Sequence, residues 1–83
     1  MNYIFKNKHT GKYFNFDKWI NNQNLPNAPS KTDVDNLEDA TIYSNEFANH
    51  GDWLLTNNYP YEKLTYEQEQ KNIRKLKIRN IEM

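Results

Sequence analysis

Eighty-three residues, zero formal net charge and no cysteine allow one domain and exclude disulfides, thiolate metal sites and cysteine nucleophiles. Leu, Ile, Val and Phe supply only 17 residues, but aromatics make up 14% of the chain, and each buried ring removes about 150–250 Å² from water, so composition points to a folded domain with an aromatic core. No apolar run reaches signal-peptide or membrane-span length, and a small domain without disulfides fits a reducing compartment, so the expected location is the cytoplasm.

In chain order, Tyr3-Ile4-Phe5 and Tyr13-Phe14-Asn15-Phe16 are short aromatic and β-branched runs that read as an N-terminal β-hairpin. Gly11 between them supplies the positive φ that a tight reversal requires, and Trp19 and Ile20 follow at once to cover one hairpin face. Residues 21–31, with two prolines and four asparagines, read as a flexible surface loop. Asp33 to Ala40 has room for one helical turn, and Thr41-Ile42-Tyr43 for a short strand. Ser44 or Asn45 caps a helix beginning at Glu46, with Phe47, Gly51 and Leu54 on one face. Gly51 costs that helix about 1 kcal/mol relative to Ala, so a break is expected there. Asn57 to Pro60 forms a stop and turn, and Tyr61 to Leu64 a further strand.

Thr65 and Gln68 then make a capping-box pair. Tyr66, Ile73 and Leu76 share one face of the helix that follows, with acids early and bases late as the helix dipole favours. The helix is expected to reach about Lys77; the alternation Leu76-Lys77-Ile78-Arg79 leaves a strand open as the alternative. Together these elements predict a single α+β domain over residues 1–83. A small antiparallel sheet, made of the N-terminal hairpin plus one or two short strands, packs with about two helices.

Composition also bears on origin. Asn occurs 14 times and Lys nine, while Ala occurs three times and Gly and Arg twice each; residues with AT-rich codons dominate. The opening Tyr3 to Phe14, with Trp19 and the later Asn36 to Ser44, resembles a loose group of small phage and prophage proteins that begin with a Thr-Gly-Lys-Tyr hairpin. The likeness covers about the first half of the chain. The Asn/Pro loop and the basic C-terminal segment depart from it. The resemblance implies a viral protein acting in the host cytoplasm, and it assigns no residue a role.

The chemistry-bearing residues are few. Ser30 lies in the proline loop and Ser44 reads as a cap, and neither sits in a glycine-flanked nucleophile elbow. His50, Asp52 and His9 are too thin a set for a metal site, and the carboxylate pairs Asp33/Asp35, Glu38/Asp39 and Glu67/Glu69 all lie in polar sequence, where neither member is pushed toward general-acid duty. No catalysis, metal or cofactor is therefore expected. The leading expectation is a phage-encoded inhibitor that blocks a host protein, a defence or transcription component, with Trp19, Trp53, Tyr59 and Tyr61 as contacts, since Tyr and Trp anchor interfaces. Two alternatives stay open. Lys71, Arg74, Lys75, Lys77 and Arg79 crowd one segment and would contact nucleic-acid phosphates, although the chain as a whole is neutral. A sponge for a nucleotide signal is the other.

Overall fold

Tyr3, Ile4 and Phe5 lie on the central strand of the computed structural model, which describes residues 1–22 and 29–82, the side chains of 76–82 excepted. Strand β1 (Asn2–Asn7) is flanked on both edges by antiparallel strands, β2 (Tyr43–Ser44) and β3 (Tyr61–Thr65), in the order β2-β1-β3. The register with β3 runs from Tyr3 opposite Thr65 to Asn7 opposite Tyr61. Successive side chains of a strand point to opposite faces, yet Ile4 and Phe5 are both 0% exposed. Both faces of this small sheet are therefore covered.

Each face has its own core. Ile4 packs with Tyr13, Val34, Leu37 and Ala40, and the half-buried Tyr66 and Ile73 of helix α3 (Tyr66–Glu82) close over them. Phe5 packs with Phe14, Tyr43, Leu54 and Tyr61. That second core is closed by helix α1 (Phe16–Asn21), a 3-10 segment at Asn45–Gly51 and the short helix α2 (Trp53–Thr56). The adjacent residues Tyr13 and Phe14 serve opposite faces, as an extended pair must.

The α+β class is as expected, and several details differ from the sequence reading. Strand β1 takes β3 as its main partner, and the segment after the Gly11 turn contributes one bridge, Lys6 to Tyr13, with Tyr13 bridging onward to Val34. Gly11 does turn the chain at φ +74°, its N–H donating to the Asn7 carbonyl at 2.9 Å. The segment leaves the sheet because the Asn15 side chain accepts from the Lys18 N–H at 2.9 Å and caps α1, which turns Phe16 from a strand residue into a helix residue. The predicted helix after Ser44 is divided, 3-10 as far as Gly51 and α-helical from Trp53. Thr65 caps α3 as expected, accepting from the Gln68 N–H at 3.2 Å, and α3 continues past Lys77 to Glu82, which settles 76–79 as helix.

Within the Asn/Pro loop predicted at 21–31, residues 23–28 lie outside the described residues; Asn21 closes α1, and Pro29–Thr32 form a 3-10 turn. Among the described residues no helix is long and apolar enough to cross a membrane.

Candidate functional site

Three separate segments bring aromatic rings to one surface. Helix α1 is six residues long, too short to persist alone in water. It is held by its cap, by the Phe16 N–H donating to Thr41 Oγ1 at 2.7 Å, and by Trp19 lying 6.4 Å from the buried Phe14 ring. Trp53, the first residue of α2, reaches the same place: its ring is 5.8 Å from Phe14, edge-on, and 5.0 Å from Trp19. Helix α2 ends at Thr56 with Asn57 as its C-cap, and Asn58 adopts φ +62°, a left-handed turn that Asn accepts more readily than most non-glycine residues. That turn carries Tyr59 back, its N–H donating to the Leu54 carbonyl at 3.0 Å, so that its ring stands edge-on to Trp53 at 6.0 Å.

The outcome is a row, Phe16–Trp19–Trp53–Tyr59, with centroid spacings of 6.1, 5.0 and 6.0 Å. Every ring in it is half-buried. Phe14, fully buried, lies beneath the two tryptophans. Trp19, Trp53 and Tyr59, predicted as contacts, are thus brought together. Tyr61, predicted with them, is a core residue at 2% exposure whose hydroxyl donates to Asp33 Oδ1 at 2.7 Å. Its ring stands edge-on to Phe14 at 6.0 Å.

Tyr59 also forms one wall of an open cleft of about 360 Å³, with Leu55 and Pro60 beside it and Lys8 and His9 at the rim. A buried polar cluster fixes that rim. Asn7 is only 2% exposed; its Oδ1 accepts from the N–H groups of His9 at 2.8 Å and Thr10 at 3.2 Å, and its Nδ2 donates to Asp33 Oδ2 at 3.3 Å. The Lys8 N–H donates to the Pro60 carbonyl at 2.8 Å. One carboxylate therefore ties the turn after β1 to the start of β3. Burial pushes the Asp33 carboxyl above its ordinary range, against the opposing pull of the Tyr61 and Asn7 hydrogen bonds and of Lys12. The same contact, with burial as the larger cause, drives the Tyr61 hydroxyl upward.

On the other face, Glu69 of α3 is 1% exposed and binds three donors: Lys6 Nζ at 2.8 Å, the Tyr13 hydroxyl at 2.5 Å and Asn72 Nδ2 at 3.3 Å. Burial raises its carboxyl, but these hydrogen bonds and the Lys6 charge outweigh that cost and leave it below its usual range. This cluster pins α3 to β1.

The remaining candidates are dispersed or already engaged. Asp52 pairs with Lys63 at 3.0 Å, while the His50 ring lies against exposed Phe47 at 5.1 Å. His9 sits on the separate turn after β1. Among the described residues no group of three or more His, Cys, Asp or Glu is placed to hold a metal ion. Ser44 stands at the N-cap position of the 3-10 segment without a side-chain cap bond. Lys71, Arg74 and Lys75 are exposed on α3; the side chains of Lys77 and Arg79 lie outside the described residues. The tyrosines nearest in sequence to this basic segment are divided between the two faces, Tyr66 on the Ile4 core, Tyr59 and Tyr61 on the Phe5 core.

The sequence reading missed Phe16 as a member of the row, Asn7 and Asp33 as the struts under the cleft, and Glu69 as the clamp. Phe16 carried a findable signal, three residues before Trp19 and just after an Asn able to cap a helix. Asn7, Asp33 and Glu69 looked like solvated residues and carried none. No family model, no curated protein and no solved structure matches this chain.

Proposed function

We propose that the protein is a phage- or prophage-encoded binding protein that modulates a host protein, a defence or transcription component, by steric occlusion, without catalytic chemistry of its own. The observation that carries this reading is the convergence of Phe16, Trp19, Trp53 and Tyr59 into one half-buried row. Trp19 and Trp53 rest on buried Phe14, and Phe16 and Tyr59 pack against the two tryptophans, so the rings have little freedom left to lose on docking while their outer edges remain to be covered, which is how rigid aromatic anchors gain affinity. Support for the absence of catalysis comes from the engagement of the groups a reaction would recruit: Asp52 with Lys63, and Glu69 with Lys6 and Tyr13. The AT-rich residue usage and the resemblance of the N-terminal turn support a viral origin, and with it the host cytoplasm as the place of action.

Affinity capture from host extract with the full chain tests the proposal. The expected result is one stoichiometric protein partner, whose affinity falls by about 30-fold or more in Tyr59→Ala, as for the loss of an interface anchor worth about 2 kcal/mol. Absence of a stoichiometric partner, or an unchanged partner on a Tyr59→Ala variant that melts as a folded protein, would overturn it.

One observation favours a second reading. Lys71, Arg74 and Lys75 are exposed at helical spacings of three and four, so they share a face of α3 on which phosphates could be held. That reading requires retention of single-stranded oligonucleotide at low salt, lost when the three residues are changed to Glu.

A further inference from the structure

The cleft beside Tyr59 adds a chemical requirement on the partner, resting on the reading of the aromatic row as a protein-contact surface. Its lining residues are Lys8, His9, Leu55, Asn58, Tyr59, Pro60 and Tyr61, with no carboxylate among them. Lys8 and His9 are exposed, and Leu55, Tyr59 and Pro60 contribute the apolar lining. Asp33, the carboxylate bonded to the lining residue Tyr61 and to Asn7, is engaged through both oxygens, and among the described residues neither Lys8 nor His9 is in an ion pair. Of the other lysines on this N-terminal stretch, Lys6 is paired with Glu69 and Lys12 with Asp35.

The rim is also held in place before anything binds. His9 and Thr10 hang their backbone N–H groups on buried Asn7, and Lys8 hangs its own on Pro60. A cation presented by a backbone this constrained costs less ordering on complex formation than one on a free loop. The cleft's volume of about 360 Å³ lies at the small end of the range for ligand sites, suited to one side chain of a partner. The chain's zero net charge supplies none of the long-range attraction that draws polyanions to basic domains, so the cleft's positive rim acts locally, on a single acidic group delivered by a docked protein.

We propose that the cleft between Lys8, His9 and Tyr59 seats an Asp or Glu side chain of the partner protein, while a large apolar residue beside it rests on Trp53 and Tyr59. The acid's oxygens meet the Lys8 ammonium and a His9 ring N–H, and its methylene stem lies on Pro60 and Leu55. In this arrangement the aromatic row supplies affinity and the rim selects for an acidic neighbour.

Selection of a random-peptide display library on the full-length protein tests this, with binding constants measured for synthetic copies of the enriched peptides. Enriched peptides are expected to carry Asp or Glu next to an aromatic or large aliphatic residue. Their affinity should fall about tenfold in Lys8→Glu, as for the loss of one charge-assisted hydrogen bond, and when the acid is replaced by its amide. Lys8 is exposed, so Lys8→Glu should leave the thermal melt in place. Peptides that need Tyr59 but show no acidic preference and no Lys8 dependence overturn the acid-seating inference and leave the contact surface standing. Peptides indifferent to Tyr59 and Lys8 alike, or no enrichment at all, overturn both. A single-stranded oligonucleotide that binds at physiological salt with the same Lys8 dependence overturns the assignment of the cleft to a protein.

Discussion

Gly51→Ala is the sharpest test of how the two-faced sheet is packed. Gly51 is buried where the 3-10 segment ends against β1, and a Cβ there would overlap Phe5 Cε2 and lie 2.6 Å from Cζ and 3.0 Å from Cδ2. Carbon atoms pack best about 3.5–4.0 Å apart, so the ring must move. It has no room, being 0% exposed and held edge-on by Tyr43 at 5.5 Å. Gly51 is not among the positive-φ residues, so Ala suits the backbone and by propensity alone would gain about 1 kcal/mol. Overpacking of a filled core costs about 1–3 kcal/mol. With three ring atoms inside contact distance the upper end applies, and the net expectation is a loss of about 2 kcal/mol.

Urea titration followed by tryptophan fluorescence should show a midpoint lower by about 2 M at an unchanged slope of about 1 kcal/mol per M. Phe5→Leu, which removes the obstructing edge, should restore part of that loss, so that the double variant is less damaged than the sum of the single ones by about 1 kcal/mol. A Gly51→Ala protein as stable as the parent, or strict additivity with Phe5→Leu, would refute this account of the packing.

Glu69→Gln should destabilise the protein by about 1–3 kcal/mol at neutral pH, because Lys6 loses its counter-ion. The Glu69 carboxyl is held below its ordinary value of about 4.5. Its ionised form therefore favours the folded state above that value and loses this contribution as pH falls through the folded-state pKa, so the gap between parent and variant, measured by urea titration, should narrow in strong acid. Asp33 runs oppositely: its carboxyl is raised above 3.8 by burial, so protonation favours the folded chain, and acidification from the folded-state pKa down to 3.8 should raise its contribution to stability, a gain that Asp33→Asn removes from the pH profile. Tyr61→Phe should cost about 1.5–3 kcal/mol by removing the hydroxyl that donates to Asp33, with the aromatic packing kept, as read from an unchanged near-ultraviolet circular dichroism spectrum. Asn7→Ala should cost about 1–3 kcal/mol and increase amide exchange at His9 and Thr10, whose N–H groups lose their acceptor.

Features fixed by near neighbours were readable from the residues. The Gly11 reversal, the Thr65 cap with Gln68, the strand at Tyr61 to Leu64 and the break at Gly51 each depend on a few adjacent side chains. Pairing was harder. Tyr3 to Phe5 and Tyr13 to Phe16 look like two arms of a hairpin, but Asn15 finds a use as a helix cap and β1 closes on β3 nearly sixty residues later. Gly51 shows the same limit: a local reading sees a weak helix residue, while the need for glycine is set by Phe5, far away in sequence. In the candidate site, the chemical character of Trp19, Trp53 and Tyr59 marked them as candidate contacts, and the fold brings their rings into one half-buried row. Tyr61 carries the same character, yet its position on β3 opposite Asn7 of β1 commits it to the core. Asn7, Asp33 and Glu69 were invisible as structural residues because polar side chains reveal burial only through partners that the fold supplies.

Site-specific photo-crosslinking shows whether the aromatic row is where a partner docks. A photoreactive amino acid is placed at Tyr59, at the end of the aromatic row, and in a second protein at Lys75, exposed on α3; each is then irradiated in host extract. A single major protein adduct is expected from position 59 and none of that mass from position 75. Adducts of equal yield from both positions, or an adduct from position 75 alone, would contradict docking on the row.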